Sequence, residues 1–209
     1  MTAASGADSD AAGVASAADF DAATLYEAAG FDCAMDPAIR PAWPGARVVG
    51  PAFPVTAHLG DNLPLHRALD LVRPGEVLVV DAGGVPRGCW GEVLAVAAQH
   101  RQVAGLVIDG GVRDVDRMAA LGFPAFSRWV AVHRTTKHDL GRLGEPAVVG
   151  GVPVSRGDLV VADSDGVVVI PRAEVPAVRE RAAARVAKEE RFLAAIRRGE
   201  STLDLYGWR

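Results

Sequence analysis

"GLVIDGGVRDVDRMAALG", residues 105–122, decides the fold. An apolar run gives way at Asp109 to two glycines, and the residues after them carry apolar side chains at helical spacing up to Gly122. The predicted structure is a buried strand, a tight turn at Gly110–Gly111, and a short helix over "RDVDRMAALG". A strand handing over to a helix is the unit of an α/β protein, whose ligands gather at the carboxyl ends of strands. On this reading Asp109 closes the strand, and Arg113 and Asp114 lie in the first turn of the helix. An aspartate with free oxygens there can hold a hard cation such as magnesium, and Arg113 offers planar donors to a carboxylate or a developing oxyanion. The simpler alternative has Asp114 favouring the helix N-terminus and Arg113 pairing with Asp109 or Asp116.

The segment before it repeats the theme. In "DAGGVPRGCWGEVLA", residues 81–95, a glycine-rich loop enters a helix at Gly91, so the amides of Glu92, Val93 and Leu94 form a cradle for an anion. Glu92 adds a carboxylate near the same mouth. Taken singly such a loop is more often a plain connection, but two of them after successive strands favour a shared site.

Working outward, a first helix is expected from an Asp19 cap to Gly30, and "ARVVGPAFPVTA" is a strand whose prolines imply an edge or a barrel-like bend. "DNLPLHRALDLV" is helical with Asp61 or Asn62 as cap and Leu65, Leu69 and Val72 on one face. In "SRGDLVVADSDGVVVIP" the Asp165–Gly166 pair between valine runs signals a hairpin. From Arg172 to Arg198 runs a charged helix with Val175, Val178, Ala182, Val186, Leu193 and Ile196 near one side, long enough to reach a neighbouring subunit. Strands and helices alternate through the middle and strands dominate later, which implies an α/β class with a mixed sheet.

Composition narrows the function. In 209 residues with a formal net charge of -4 there is no basic stripe of the kind nucleic-acid binding needs. Cys33 and Cys89 lack disulfide or zinc spacing and are expected to be inert buried thiols. No signal-peptide pattern or membrane-length apolar run occurs, so a cytoplasmic protein is expected, with residues 1–18 a disordered lead-in and 19–209 one domain. No dinucleotide or nucleotide loop pattern is present.

The ordered set "GEVLVVDAGG", "GCWGEVLAVAA", "GLVIDGGVRDVD" and "VVGGVPVSRGDLVVADSDGVVVIP" resembles the RraA-like family over roughly residues 20–205. That family contains metal-dependent 4-hydroxy-4-methyl-2-oxoglutarate/4-carboxy-4-hydroxy-2-oxoadipate aldolases and the regulator of ribonuclease activity A. The resemblance implies a three-layer β/β/α swivelling domain, assembled as homotrimers or homohexamers with sites between subunits. It implies that Asp114 binds Mg2+ or Mn2+, that Arg113 holds the 2-oxo acid and stabilises its enolate, and that the amides after Gly91 take the pyruvate carboxylate. Glu92 and Asp109 would order metal-bound waters, and either Glu189 or Glu190 of "AKEERF" would approach a neighbour's site. The regulator branch has a non-acidic residue where this chain has Asp114, which favours the aldolase branch with oxaloacetate decarboxylation as a side activity. The alternatives are a non-catalytic regulator that binds a ribonuclease, and a related lyase or hydratase acting on another 2-oxo acid. Within the variable stretch "SRWVAVHRTTKHDLGRLGEP", His133, Lys137 and His138 are candidates for lining the pocket. The only two lysines, Lys137 and Lys188, lie outside the glycine-rich cluster, which favours a Lewis-acid route over a Schiff base.

Overall fold

The computed structural model describes residues 20–209; the expected lead-in over residues 1–18 and the Asp19 cap lie outside them. The first helix, α1 (Ala22–Ala29), is capped instead by Asp21, whose side chain accepts the Thr24 amide, and it ends at Gly30 in the left-handed conformation.

The nine-stranded sheet runs in the order β1 (Arg40–Pro41), β6 (Ala125–Val130), β5 (Gly105–Val112), β3 (Val77–Asp81), β2 (Val48–Thr56), β10 (Leu159–Ala162), β11 (Val167–Ile170). Two short strands flank this path: β4 (Gly88–Trp90) pairs with β5, and β7 (Arg142–Leu143) with β2. Neighbours from β6 to β2 are parallel, whereas β1, β7, β10 and β11 join antiparallel, so the sheet is mixed as expected. The proline-rich strand is not an edge. Val48–Pro51 of β2 pairs with β10 and Ala52–Thr56 with β3, so the partner changes at Pro51 and the strand bends from one half of the sheet into the other.

Alternation along the strands sorts the core into three layers of contact. Leu78 and Val80 of β3 and Leu106 and Ile108 of β5 meet α2 (Leu63–Ala68), α3 (Glu92–His100) and α4 (Val115–Leu121) through Leu65, Leu94, Ala98 and Met118. Val77, Val79 and Val107 point the other way, onto Val160 and Val169 and onto the hairpin of β8 (Ala147–Val149) and β9 (Val152–Val154). On the far side Leu159, Val161 and Ile170 pack against α1 and α5 (Val175–Arg197) through Leu25, Val178 and Ala182. Asn62 stands at the start of α2, which is shorter than expected, yet Leu69 and Val72 beyond it still enter the first layer.

The expected apolar face of α5 is buried only in part. Val175, Val178, Ala182 and Ala195 are buried, Val186 is half-buried, and Leu193 and Ile196 are exposed. Beyond it α6 (Thr202–Leu205) leads to Tyr206 and Trp208, which stack on each other, while Phe192 meets Tyr206 edge-on and Lys188 lies over the rings of Phe192 and Tyr206. Among the described residues no helix is long and apolar enough to cross a membrane.

Candidate active site

The strand β5 does not stop at Asp109. It continues through Gly110 and Gly111 to Val112, and its register against β6 shifts between Ile108 and Gly111. The glycine pair therefore marks a bulge rather than a turn. Neither glycine has positive φ. Their small size is what counts: a Cβ on Gly110 would lie 2.7 Å from the Cβ of Ala82, and one on Gly111 2.5 Å from the carbonyl oxygen of Arg87. The 82–88 loop can thus lie directly against β5, and β4 pairs with its extension at Gly88–Gly111 and Trp90–Val112.

This pairing sets the two motifs side by side. Arg113 donates its amide to the Trp90 carbonyl, and Asp114 follows at the N-cap of α4 with φ 57° and ψ 37°. Both residues precede the helix instead of occupying its first turn. The left-handed backbone turns the Asp114 carboxylate over the start of α3, where its Oδ2 accepts the Glu92 amide at 3.1 Å. A Cβ on Gly91 would sit 2.4 Å from that oxygen and 3.0 Å from the Cγ of Arg113, so the bare backbone of Gly91 leaves room for both side chains where they stand. The Arg113 Nε stands 3.7 Å from the Asp114 Oδ2, and the two side chains are 52% and 40% exposed. The amides of Val93 and Leu94, in the first turn of α3, have no intrahelical acceptor.

Asp109 has a different partner. Its two oxygens accept the Nε and an NH2 of Arg128 at 2.6 and 3.2 Å, and the Gly150 amide adds a third bond at 3.2 Å. Arg128 also reaches Asp36 at 2.8 Å. Hydrogen bonding to Asp109 raises the Arg128 pKa above its ordinary value; burial opposes the shift and Asp36 reinforces it. The Asp36 carboxyl is held low by the Ala38 amide and then by Arg128. Sequence reading missed this brace, because Asp36, Asp109, Arg128 and Gly150 come from four separate segments and no local pattern joins them.

The remaining candidates are dispersed. His133, Lys137 and His138 are all exposed, on the connection from β6 to β7. That connection borders the mouth at one point: the Gly88 amide bonds the His133 carbonyl at 3.0 Å, and a Cβ on Gly88 would lie 2.6 Å from the Ala131 oxygen and 3.1 Å from the Arg113 Cδ. Glu189 pairs with Arg185 at 2.8 Å, and Glu190 is exposed beside it. Both glutamates ride on α5, which packs on the opposite side of the sheet from α3 and α4, so one chain does not bring them to Arg113. Cys33 and Cys89 are buried, and burial pushes both thiols up to about 11, as inert thiols require.

The donor set fits a hard cation. Among the described residues no three His, Cys, Asp or Glu side chains converge on one point. Asp114 nevertheless offers an exposed carboxylate with one amide on Oδ2 and no partner on Oδ1. One carboxylate open to water and substrate is the pattern magnesium accepts, since it keeps several waters.

A family profile described as RraA-like, Aldolase/RraA, matches residues 15–169. The chain is 38% identical over 159 residues to a Halalkalibacterium halodurans protein named "Putative 4-hydroxy-4-methyl-2-oxoglutarate aldolase", covering 76% of each. Among solved structures, a Pseudomonas syringae pv. tomato protein superposes with a TM-score of 0.79 at 28% identity, covering 93% of this chain and 96% of that one. Streptomyces coelicolor RraAS2, described as an unusual member of the RNase ES inhibitor RraA protein family, superposes with a TM-score of 0.76 at 30% identity, covering 85% and 93%.

Proposed function

The chain belongs to the RraA-like family, and from that premise we propose that it is a divalent-metal-dependent lyase that cleaves a 4-hydroxy-2-oxo acid to pyruvate. The observation that carries the reading is the Asp114 carboxylate lying over Gly91 with the Arg113 Nε 3.7 Å from its Oδ2 and both side chains open to solvent.

Bound at Asp114, Mg2+ or Mn2+ would supply Lewis acidity toward the 2-oxo acid. The amides of Val93 and Leu94 receive the C1 carboxylate of the substrate. Arg113 donates to the 2-oxo oxygen, on which negative charge grows as the C3–C4 bond breaks and its electron pair passes into the enolate. Glu92, whose backbone N–H donates a hydrogen bond to the Asp114 carboxylate at the mouth, accepts the 4-hydroxyl proton through water. The leaving half departs as a carbonyl compound, and protonation at C3 completes pyruvate. Loss of CO2 from oxaloacetate generates the same enolate, so decarboxylation is the expected side activity. A Schiff-base route would need one of two lysines: Lys188 is engaged with the rings of Phe192 and Tyr206 on the far helix, and Lys137 is exposed on the 131–141 connection, outside the Gly91–Asp114 cluster.

The mouth is open in one chain. Two clefts of about 410 and 430 Å³ contain neither Arg113 nor Asp114. Val93, at 77% exposure, stands in the first turn of α3 beside the mouth, and Val132, at 84%, follows Ala131, whose carbonyl faces Gly88; in the homotrimer or homohexamer that the family resemblance implies, a neighbour would cover both. A glutamate of the neighbour's α5, Glu189 or Glu190, then completes the site.

The test is pyruvate release from 4-hydroxy-4-methyl-2-oxoglutarate and related acids with Mg2+ or Mn2+ added. Turnover is expected to vanish in excess chelator and return with the metal; undiminished turnover in chelator rules out the metal route. The likeness to RraAS2 supports a second reading, a non-catalytic ribonuclease regulator. That reading would gain if the protein binds a ribonuclease and gives no calorimetric heat with Mg2+ and pyruvate.

A further inference from the structure

Residues 131–141 join β6 to β7 without helix or strand of their own, apart from a bridge at Thr136, and carry exposed His133, Arg134, Lys137 and His138. A long irregular connection at the edge of a site is where recognition usually resides. Here it is tightly held. Asp61 is 3% exposed, and its Oδ2 accepts the Thr136 hydroxyl at 2.8 Å and the amides of His138 and Asp139 at 2.7 and 3.3 Å. Its Oδ1 accepts the Leu63 amide at 2.9 Å, which ties the loop to the start of α2. Burial opposes ionisation of Asp61, yet the donors outweigh it and hold the pKa at about 2. Neighbouring bonds add to the hold: the Asn62 amide to the Thr136 carbonyl, the Thr135 hydroxyl to Asn62, and Arg87 to the Arg134 carbonyl. A further anchor is Gly88, which has the His133 carbonyl on its amide and the Arg113 side chain alongside. Asp61 is thus the most heavily bonded anchor of the charged loop, which is also held by the Ala131 amide on Val112, the Thr136 amide on Gly60 and the His58 amide on Asp139.

We propose that Asp61 is a positioning residue, which through residues 133–139 sets the wall that meets the half of the substrate leaving as the carbonyl product. The proposal rests on the lyase reading above. It predicts a division of labour. The pyruvate half is held by Arg113, Asp114 and the α3 amides, none of which touches Asp61, so weakening the Asp61 anchor affects the other half far more.

The experiment compares wild type with Asp61→Asn, which keeps the shape and removes the charge, and with Thr136→Val, a milder change that deletes one donor. In Asp61→Asn the KM for the whole 4-hydroxy-2-oxo acid is expected to rise about tenfold, while the Mn2+-dependent affinity for pyruvate stays within about twofold. Trypsin should also cut faster after Arg134 and Lys137. Thr136→Val is expected to move the same readouts less far, and it decides the matter if Asp61→Asn fails to fold. A loosened loop with unmoved KM overturns the proposal, as does a parallel fall in pyruvate affinity or a loop that stays protected. A wild-type protein that releases no pyruvate removes the lyase reading and this one together. An active wild type with unchanged variants removes this one alone.

Discussion

Asp109 and Asp114 lie on the same strand-to-helix segment, and they are bonded in opposite ways. The Asp109 side chain is 16% exposed, with both oxygens engaged by Arg128 and one also by the Gly150 amide. The Asp114 side chain is 40% exposed, with a single amide on one oxygen and a backbone in the left-handed region. Each has an arginine near it, but the geometries differ: 2.6 Å and bidentate for Asp109, 3.7 Å and single for Asp114. A fork-to-fork pair shielded from water is a brace between segments. A loose pair in solvent contributes little to stability and leaves its lone pairs and donors for a ligand. Saturation of the carboxylate, rather than its place in a motif, separates a scaffold residue from one left open to a ligand.

The strongest challenge to this contrast is to remove each carboxylate and read activity and stability separately. Asp114→Ala should reduce pyruvate release to the level seen with excess chelator, and Arg113→Lys should lower kcat by about 100-fold, since one ammonium cannot reproduce the guanidinium fork. Arg113→Lys should leave the melting temperature nearly unchanged, and Asp114→Ala should cost only about 1–2 kcal/mol, because alanine tolerates the left-handed conformation less well than aspartate and lacks the bond to Glu92. Asp109→Asn should do the reverse. Leaving Arg128 short of a charge partner costs about 2–3 kcal/mol, below the roughly 3–5 kcal/mol of a fully buried pair, and the loss is read by denaturant unfolding. Turnover per folded molecule should survive it. If Asp109→Asn proved as inactive as Asp114→Ala, Asp109 would belong to the water-ordering shell that the family resemblance implies, and the contrast would fail.

Legibility in the sequence follows the same line. The Arg113–Asp114 pair, the Gly91 helix start and the Asp165–Gly166 hairpin could be read because each is a local pattern whose geometry is set within a few residues. The Gly110–Gly111 pair was misread as a turn, since a glycine needed for close approach looks the same in sequence as one needed for positive φ. The bend in β2 was only half legible: Pro51 signalled a departure from regular pairing, but the burial of β2 in the sheet interior depends on β3 and β10, which are distant in the chain. Contacts of long sequence separation, such as Asp109 with Arg128 and Asp61 with His138, leave no periodic trace. The outer half of α5 shows an apolar pattern that one chain leaves exposed at Leu193 and Ile196, so its meaning lies in what covers it.

The smallest effect gives the sharpest test of the contrast, because opposing contributions to stability nearly cancel in it while activity does not survive. A non-glycine residue in the left-handed region pays a steric cost of roughly 1–2 kcal/mol, less for aspartate, whose short polar side chain tolerates it. Asp114 sits there at φ 57° with no side-chain cap to its own helix, and its one hydrogen bond reaches across to Glu92. Asp114→Gly relieves that strain but loses the bond to the Glu92 amide and gains chain entropy in the unfolded state, each about 0.5–1 kcal/mol. The sum should fall within about 0.5 kcal/mol of zero, while activity disappears as completely as in Asp114→Ala. A carboxylate kept only to cap α4 would show a clear loss of stability on this substitution, measured by the midpoint of urea unfolding. A near-neutral midpoint beside abolished turnover would mean that the conformation of Asp114 is maintained for the ligand rather than for the fold.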